Sequence, residues 1–296
     1  RFEIKPKKVK KSKTEAIKKL FSKKIAKKLF GKKFATKARA ELRAIEPVIE
    51  KTIAKPKRPA FQITWASNAS EIKEAQRLRY KVFAEEMGAN LPKNPENLDI
   101  DEFDQYCDHL IVRDQDSLMV IGTYRILPPE QAKLIGKVYS ANEFDLSRIE
   151  HLLPKAVEVG RSCVHPNYRS GAVIMALWAG LGSYMRQHGY EILLGCASVP
   201  MADGGHYAAS LNRIFYEANL CPVEYRTFPK VPLPLDKLNT SLEVDPPALI
   251  KGYLRLGAQI CGEPAWDPDF NTADFLTMLR LSDINPKYGK HFLNSN

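Results

Sequence analysis

The apolar positions of this chain change period along its length. Over residues 14–34, Ile17, Leu20, Phe21, Ile25 and Leu29 recur at three- and four-residue steps with lysines between them, which predicts a basic amphipathic helix. Pro47 and the run Lys55-Pro-Lys-Arg-Pro59 mark a linker. Residues 61–66 then read as a strand. Residues 70–87 read as a helix with Ile72, Ala75, Leu78, Val82 and Phe83 on one side. A long polar loop over 88–106 is followed by a hairpin, 109–112 with 120–127, and a short helix around 143–149. The pattern continues as strand 156–164, helix 172–185, strand 191–199, helices 208–218 and 248–260, and strand 274–281 with a helical end. This order implies a mixed sheet covered by helices.

The strand over 156–164 departs from its own pattern. Small and β-branched residues alternate there with Glu158 and Arg161, which sit three apart and so point to opposite faces of a regular strand. Two charges inside an apolar strand are unfavourable unless they are paired or functional. Pro166 and Gly171 bracket the turn that follows, and it feeds a helix N-terminus whose free N–H groups and positive dipole end suit a phosphate.

Charge divides the chain. Residues 1–60 hold 22 Lys and Arg against 5 Asp and Glu, a balance of +17; the other 236 residues carry 23 against 29, a balance of −6. The basicity belongs to an extension over 1–60, partly disordered by composition, and leaves the body over 61–296 acidic. The helix over 14–34 is of the kind that lies on an anionic membrane surface, or docks on an acidic carrier protein. Nucleic acid is not expected, because no aromatic interleaving or reader motif accompanies the charge. The five cysteines are scattered and odd in number, with no CxxC, so neither a disulfide framework nor a metal site is expected. No apolar run is long enough to span a bilayer, and no signal-peptide core precedes the body.

Several motifs fall in a recognisable order: Arg77-Leu-Arg-Tyr-Lys-Val-Phe83, Asp101-Glu-Phe-Asp104, Cys107-Asp-His-Leu110, Gly122-Thr-Tyr-Arg125, Glu158-Val-Gly-Arg-Ser-Cys-Val164, Asp267-Pro-Asp-Phe270 and Asp274-Phe. Together they resemble the bacterial L-ornithine Nα-acyltransferase family, sometimes labelled hemolysin-like, over roughly residues 61–293. The resemblance implies the Gcn5-related N-acyltransferase (GNAT) fold, an α/β architecture with a mixed, mostly antiparallel sheet flanked by helices. It also implies transfer of a 3-hydroxyacyl chain from acyl carrier protein to the α-amine of ornithine, giving lyso-ornithine lipid. No cofactor would be bound permanently; the phosphopantetheine of the carrier would bring the acyl group. The expected location is cytoplasmic, on the inner face of the membrane. More distantly, the motif order is similar to acyl-homoserine-lactone synthases. A non-enzymatic membrane-binding or lytic protein, with the basic helix as its activity, is the alternative of a different class.

Carried onto this sequence, the resemblance assigns catalysis to Glu158 and Arg161, with Glu158 accepting the amine's proton. It assigns the amino-acid acceptor to Arg79, Phe83, Asp101, Asp104 and Arg125. The aspartates would meet the cationic groups and Arg79 or Arg125 the carboxylate, or the same residues would form an Asp–Arg network that orders the loop. The donor falls to Cys163, Val164, Arg169, Ser170, Gly171 and Ala172. Ala172 stands where acetyl-CoA-using members carry the first glycine of their pyrophosphate loop, and its Cβ obstructs a diphosphate. That departure points to a carrier-bound donor rather than CoA.

Overall fold

A computed structural model describes residues 61–285. The extension over 1–60, with its amphipathic helix, and the last eleven residues lie outside the described part. Strands β1 (Phe61–Trp65), β2 (Asp108–Asp114), β3 (Val120–Leu127), β5 (Ala156–Val164), β6 (Ile192–Pro200), β10 (Thr272–Arg280) and β8 (Gln259–Ile260) follow one another across a single sheet, with β9 (Ala265–Asp267) also on β10. A separate two-stranded pair joins β4 (Phe144–Asp145) to β7 (Phe228–Pro229). Every pairing in the large sheet is antiparallel except β5 with β6. This is the expected mixed, mostly antiparallel sheet.

Helices α1 (Ala69–Tyr80), α2 (Pro129–Ile135), α3 (Ala172–His188), α4 (His206–Ala218) and α5 (Ala248–Leu256) flank the sheet. The alternation of β2 sorts its two faces: Leu110 and Val112 pack with Val173, Leu177 and Leu181 of α3, whereas Ile111 packs with Ala75 and Leu78 of α1. With helices on both sides, every residue of β3 is buried. Each fully buried Leu or Val contributes about 1.5–3 kcal/mol by leaving water.

Four expectations need correction. Residues 70–87 are not one α-helix: α1 ends at Tyr80 and continues as a wider π-helical turn, Lys81–Glu86, which turns Phe83 and Glu86 toward the cavity described below. Residues 143–149 are not a helix, because Phe144–Asp145 pairs with β7 and a 3₁₀ stretch, Ser147–Lys155, follows. The helix over 248–260 stops at Gly257, whose φ of +111° closes α5 and lets Gln259–Ile260 join the sheet. Helix α2 was not expected at all, although Pro129 in its first turn and Gly136 just past its end are start and stop signals.

The site is shaped where β5 and β6 meet. They pair only from Ala156 to Glu158, against Ile192 to Leu194; beyond that, residues of both strands line a cavity. Gly195 sits at the fork. A Cβ on it would lie 2.2 Å from the carbonyl oxygen of Val159, a backbone atom that cannot swing aside. Gly195→Ala is expected to force the strands apart at the mouth and lower stability by about 1–3 kcal/mol. Urea unfolding checks this, and an unchanged midpoint would count against a rigid fork.

Candidate active site

Helix α1, the loop after it and strands β3 and β5 each bring one charge type to a common point. Arg79, fully buried on α1, donates from Nε to Asp99 (2.8 Å) and from both terminal nitrogens to Asp104 (2.7 and 3.0 Å), and reaches the Asp99 carbonyl at 2.6 Å. Arg125 on β3 donates to Asp101 at 2.5 Å. Arg161 on β5 reaches Asp99 and Asp101, each at 3.2 Å. Three aspartates and three arginines are therefore tied into one network. Burial acts to raise the Asp104 carboxyl, but the Arg79 guanidinium, with Arg125 behind it, holds it well below the usual carboxylate range.

Arg161 also explains the deformation of β5. Gly160 pairs with Arg125 and Cys163 with Thr123, so Arg161 and Ser162 together oppose Tyr124 alone. This is a β-bulge, and Arg161 takes φ +50° within it, an unfavourable value for a side chain with a Cβ. The bulge turns the guanidinium over the rings of Phe270 (4.5 Å) and Tyr139 (5.0 Å). A local conformation so strained persists only because the surrounding ion pairs and rings hold it.

Glu158 lines the same cavity as Arg125 and Arg161 and feels the Arg125 charge, but no hydrogen bond ties it into this network. It makes no ion pair with Arg161; instead it accepts hydrogen bonds from the Tyr139 and Ser140 backbone N–H groups and the Ser140 hydroxyl. Burial pushes its carboxyl up, opposed by those same hydrogen bonds. The Ser140 hydroxyl also lies 3.5 Å from the Cys196 thiol.

These groups border one cavity of about 520 Å³ running between the splayed strands. Its charged lining residues include Glu158, Arg125, Arg161, Asp267 and Asp274, and its apolar ones Trp178, Leu181, Leu249, Ile250 and Leu256. Phe83, Cys163, Val164 and Arg169 also line it. Arg79, Asp101 and Asp104 stand behind the lining. Ser170 and Gly171 lead into Ala172 at the start of α3, beside rather than on the cavity wall.

On the donor side, Gly171 (φ +89°) immediately precedes α3, and no side chain caps the helix, so its first-turn N–H groups remain available to an anion. Arg169, read as a phosphate ligand, is held by Glu86 through two bonds of 2.5 and 2.8 Å. His165 beside it faces the Lys81 ammonium at 3.1 Å; burial, then Lys81 and Arg169, keep its pKa low. Burial pushes the Cys163 thiol up to about 12, which leaves it unsuited to nucleophilic attack.

One group was not singled out from the sequence. Glu143, Cys196 and Asp274 bring ligand-type atoms within 4.8 Å of one another, the spacing a metal ion could use. Burial pushes Glu143 up to about 9, reinforced by the negative charges of Asp274 and Asp267, and burial raises Asp274 to about 6. The Cys196 thiol is raised well above its ordinary value by burial and Glu143. Asp267 and Asp274 belong to motifs noted in the sequence, but Glu143 lay inside an expected helix and gave no signal.

Residues 78–179 match the model for an acetyltransferase (GNAT) domain. An L-ornithine N(alpha)-acyltransferase of Brucella abortus (strain 2308) is 34% identical over 250 residues, 79% of this chain and 89% of that one. One from Agrobacterium fabrum (strain C58) is 37% identical over 244 residues, 77% of this chain and 83% of that one. Among solved structures, a CoA-dependent acyl-homoserine lactone synthase is 16% identical with a TM-score of 0.45, covering 79% of this chain and 87% of that one. Among the described residues no helix is long and apolar enough to cross a membrane. With a GNAT sheet opened at its parallel strand pair, and relatives of this similarity over most of its length, the chain is an acyltransferase and belongs to the L-ornithine N(alpha)-acyltransferase family.

Proposed function

We propose that the protein transfers a 3-hydroxyacyl chain from acyl carrier protein to the α-amine of ornithine, the first step toward an ornithine lipid. The supporting observation is a single cavity whose wall combines apolar side chains suited to an acyl chain with charged ones suited to an amino acid. The amine must lose a proton before it attacks the thioester, since an ammonium has no lone pair. Glu158 takes that proton; its burial raises its affinity for one, and Tyr139 and Ser140 fix its orientation. The bulge at Arg161–Ser162 removes backbone groups from the strand ladder, and N–H groups released in this way are suited to the oxyanion formed at the thioester carbonyl.

Phosphopantetheine lies along the fork between β5 and β6, with its phosphodiester at the uncapped start of α3. A single phosphodiester fits there beside Ala172, and Arg169, tied to Glu86, orders the turn around it. The basic segment over 14–34 holds the enzyme on the anionic inner face of the cytoplasmic membrane, where the product belongs.

The test is an assay of the purified full chain with 3-hydroxyacyl carrier protein or the corresponding CoA thioester, and ornithine or glycine, read by mass spectrometry. The expected product is the ornithine amide from the carrier-bound donor, with Glu158→Gln slowed about 100-fold or more. Full activity in Glu158→Gln would remove it as the base, and equal use of CoA would remove the carrier preference.

A further inference from the structure

A diamino acid brings two amines and one carboxylate to the site, so one amine remains a cation while the other reacts. The aspartates of the loop do not offer it a free negative charge: Asp99, Asp101 and Asp104 are matched by Arg79, Arg125 and Arg161. The unmatched acids lie elsewhere in the same cavity. Asp267 and Asp274 line it, and Glu143 lies against Asp274. Both Glu143 carboxyl oxygens are sealed from solvent; their neighbours are the Asp274 carboxyl and the Cys196 thiol, and no cation is among them. Asp274, 3% exposed, accepts a bond of 2.8 Å from the Thr272 hydroxyl and also meets the Ser198 hydroxyl, neither of which brings a positive charge. Asp267 accepts only the Asp269 and Phe270 backbone N–H groups, at 2.9 and 3.1 Å. No arginine or lysine pairs with any of the three among the described residues.

Three carboxyl groups gathered in a low-dielectric cavity without a cation are unfavourable unless something supplies one. An ammonium does so: it carries three N–H donors and a positive charge, and these groups offer acceptors in excess of donors. Their place fits the reaction as well. Cys196 touches both this group and Ser140, and Ser140 holds Glu158, so the acids lie one side chain beyond the proposed base. We infer that Glu143, Asp267 and Asp274 form the subsite for the distal ammonium of a diamino acid acceptor and so decide which amino acid is acylated. The inference rests on the acyltransferase reading proposed above and names what that reading leaves open.

The experiment compares ornithine with norvaline, which has the same carbon chain without the distal amine, using the full chain, a saturating acyl donor and EDTA in one arm. Wild type is expected to prefer ornithine by about 100-fold or more in kcat/KM, because buried acids left without their cation reject the analogue. Asp274→Asn is expected to raise the KM for ornithine at least about 10-fold and bring the preference down to a few-fold, with the KM for the donor unchanged. Glu143→Gln, which keeps the shape but can no longer give up a proton and become a carboxylate when the ammonium arrives, should show the same loss of preference, and it decides the matter if Asp274→Asn does not fold. A wild-type chain that takes ornithine, with variants that keep its preference, overturns the subsite alone. Preference abolished by EDTA and restored by zinc also overturns it, giving these residues to a metal. A wild type that acylates neither amino acid overturns the ornithine reading, and the subsite with it.

Discussion

Glu143→Gln is expected to unfold at higher urea than wild type at pH 8 and at nearly the same urea at pH 4.5. In the folded chain burial and the charges of Asp274 and Asp267 raise Glu143 to about 9, whereas in the unfolded chain it titrates as an ordinary carboxyl. Folding therefore takes up a proton across the interval between those values. Stability from the protonated group is complete below the unfolded pKa and is lost as pH rises toward 9. The slope is at most about 1.4 kcal/mol per pH unit. Asp274, raised to about 6, adds to the loss at the acidic end, and the two carboxyls titrate as a pair. The groups facing them are Asp267, the Cys196 thiol and the hydroxyls of Thr272 and Ser198, none of which brings a positive charge. An amide at position 143 is neutral at every pH and removes most of this slope. The gain at pH 8 should be about 2–4 kcal/mol. Parallel pH profiles for the two proteins would mean that Glu143 ionises freely in the folded state.

The residues behind this prediction show where reading the sequence succeeds and where it stops. Strand β5 was read with its observed limits, since the alternation of small and β-branched residues is a local property. Its two charges both border the cavity, but the alternation cannot reveal a bulge. That depends on Arg161 reaching Asp99 and Asp101 on one side and two aromatic rings on the other. The loop acids were legible as a group, whereas their partners come from α1, β3 and β5, and a motif order does not show which carboxylate meets which guanidinium. Glu143, just before β4, and Asp274 on β10 are 131 positions apart, yet the fold brings their carboxyl groups within 4.8 Å of each other. No spacing rule reaches that far. The run over 248–260 was read as one helix because its apolar steps continue past Gly257. The break comes at Gly257, whose φ of +111° ends the helix, and only a glycine fits because a Cβ there would lie 2.6 Å from the Asp283 carbonyl oxygen.

Arg79→Met is expected to remove most of the protein's stability, about 3–5 kcal/mol, out of a total of about 5–15 kcal/mol for an ordinary domain. Methionine fills much of the volume, so packing is not the main loss. The loss arises because Asp99 and Asp104, 2% and 6% exposed, keep their charges in a dry site after four hydrogen bonds have gone. Arg161 still reaches Asp99, but Arg125 approaches Asp104 only at 3.5 Å. Arg79→Lys should fare little better, since one ammonium cannot serve two carboxylates and a carbonyl at the places a planar guanidinium reaches. Acid separates charge from shape. In wild type the Asp104 carboxyl is held below its unfolded value, so its contribution is present above that value and is lost only as pH falls through the lowered one. Without Arg79 burial dominates, and the carboxyl takes up a proton at mildly acidic pH. The deficit of Arg79→Met should therefore narrow between pH 7 and pH 5, while wild type changes little through Asp104. Adding Asp104→Asn to Arg79→Met should recover part of the loss at pH 7 and cancel much of the pH dependence. Urea unfolding of the four proteins at both pH values measures each term. A deficit in Arg79→Met that is large but independent of pH, and not relieved by Asp104→Asn, would place the role of Arg79 in packing rather than in holding the charged loop against β5.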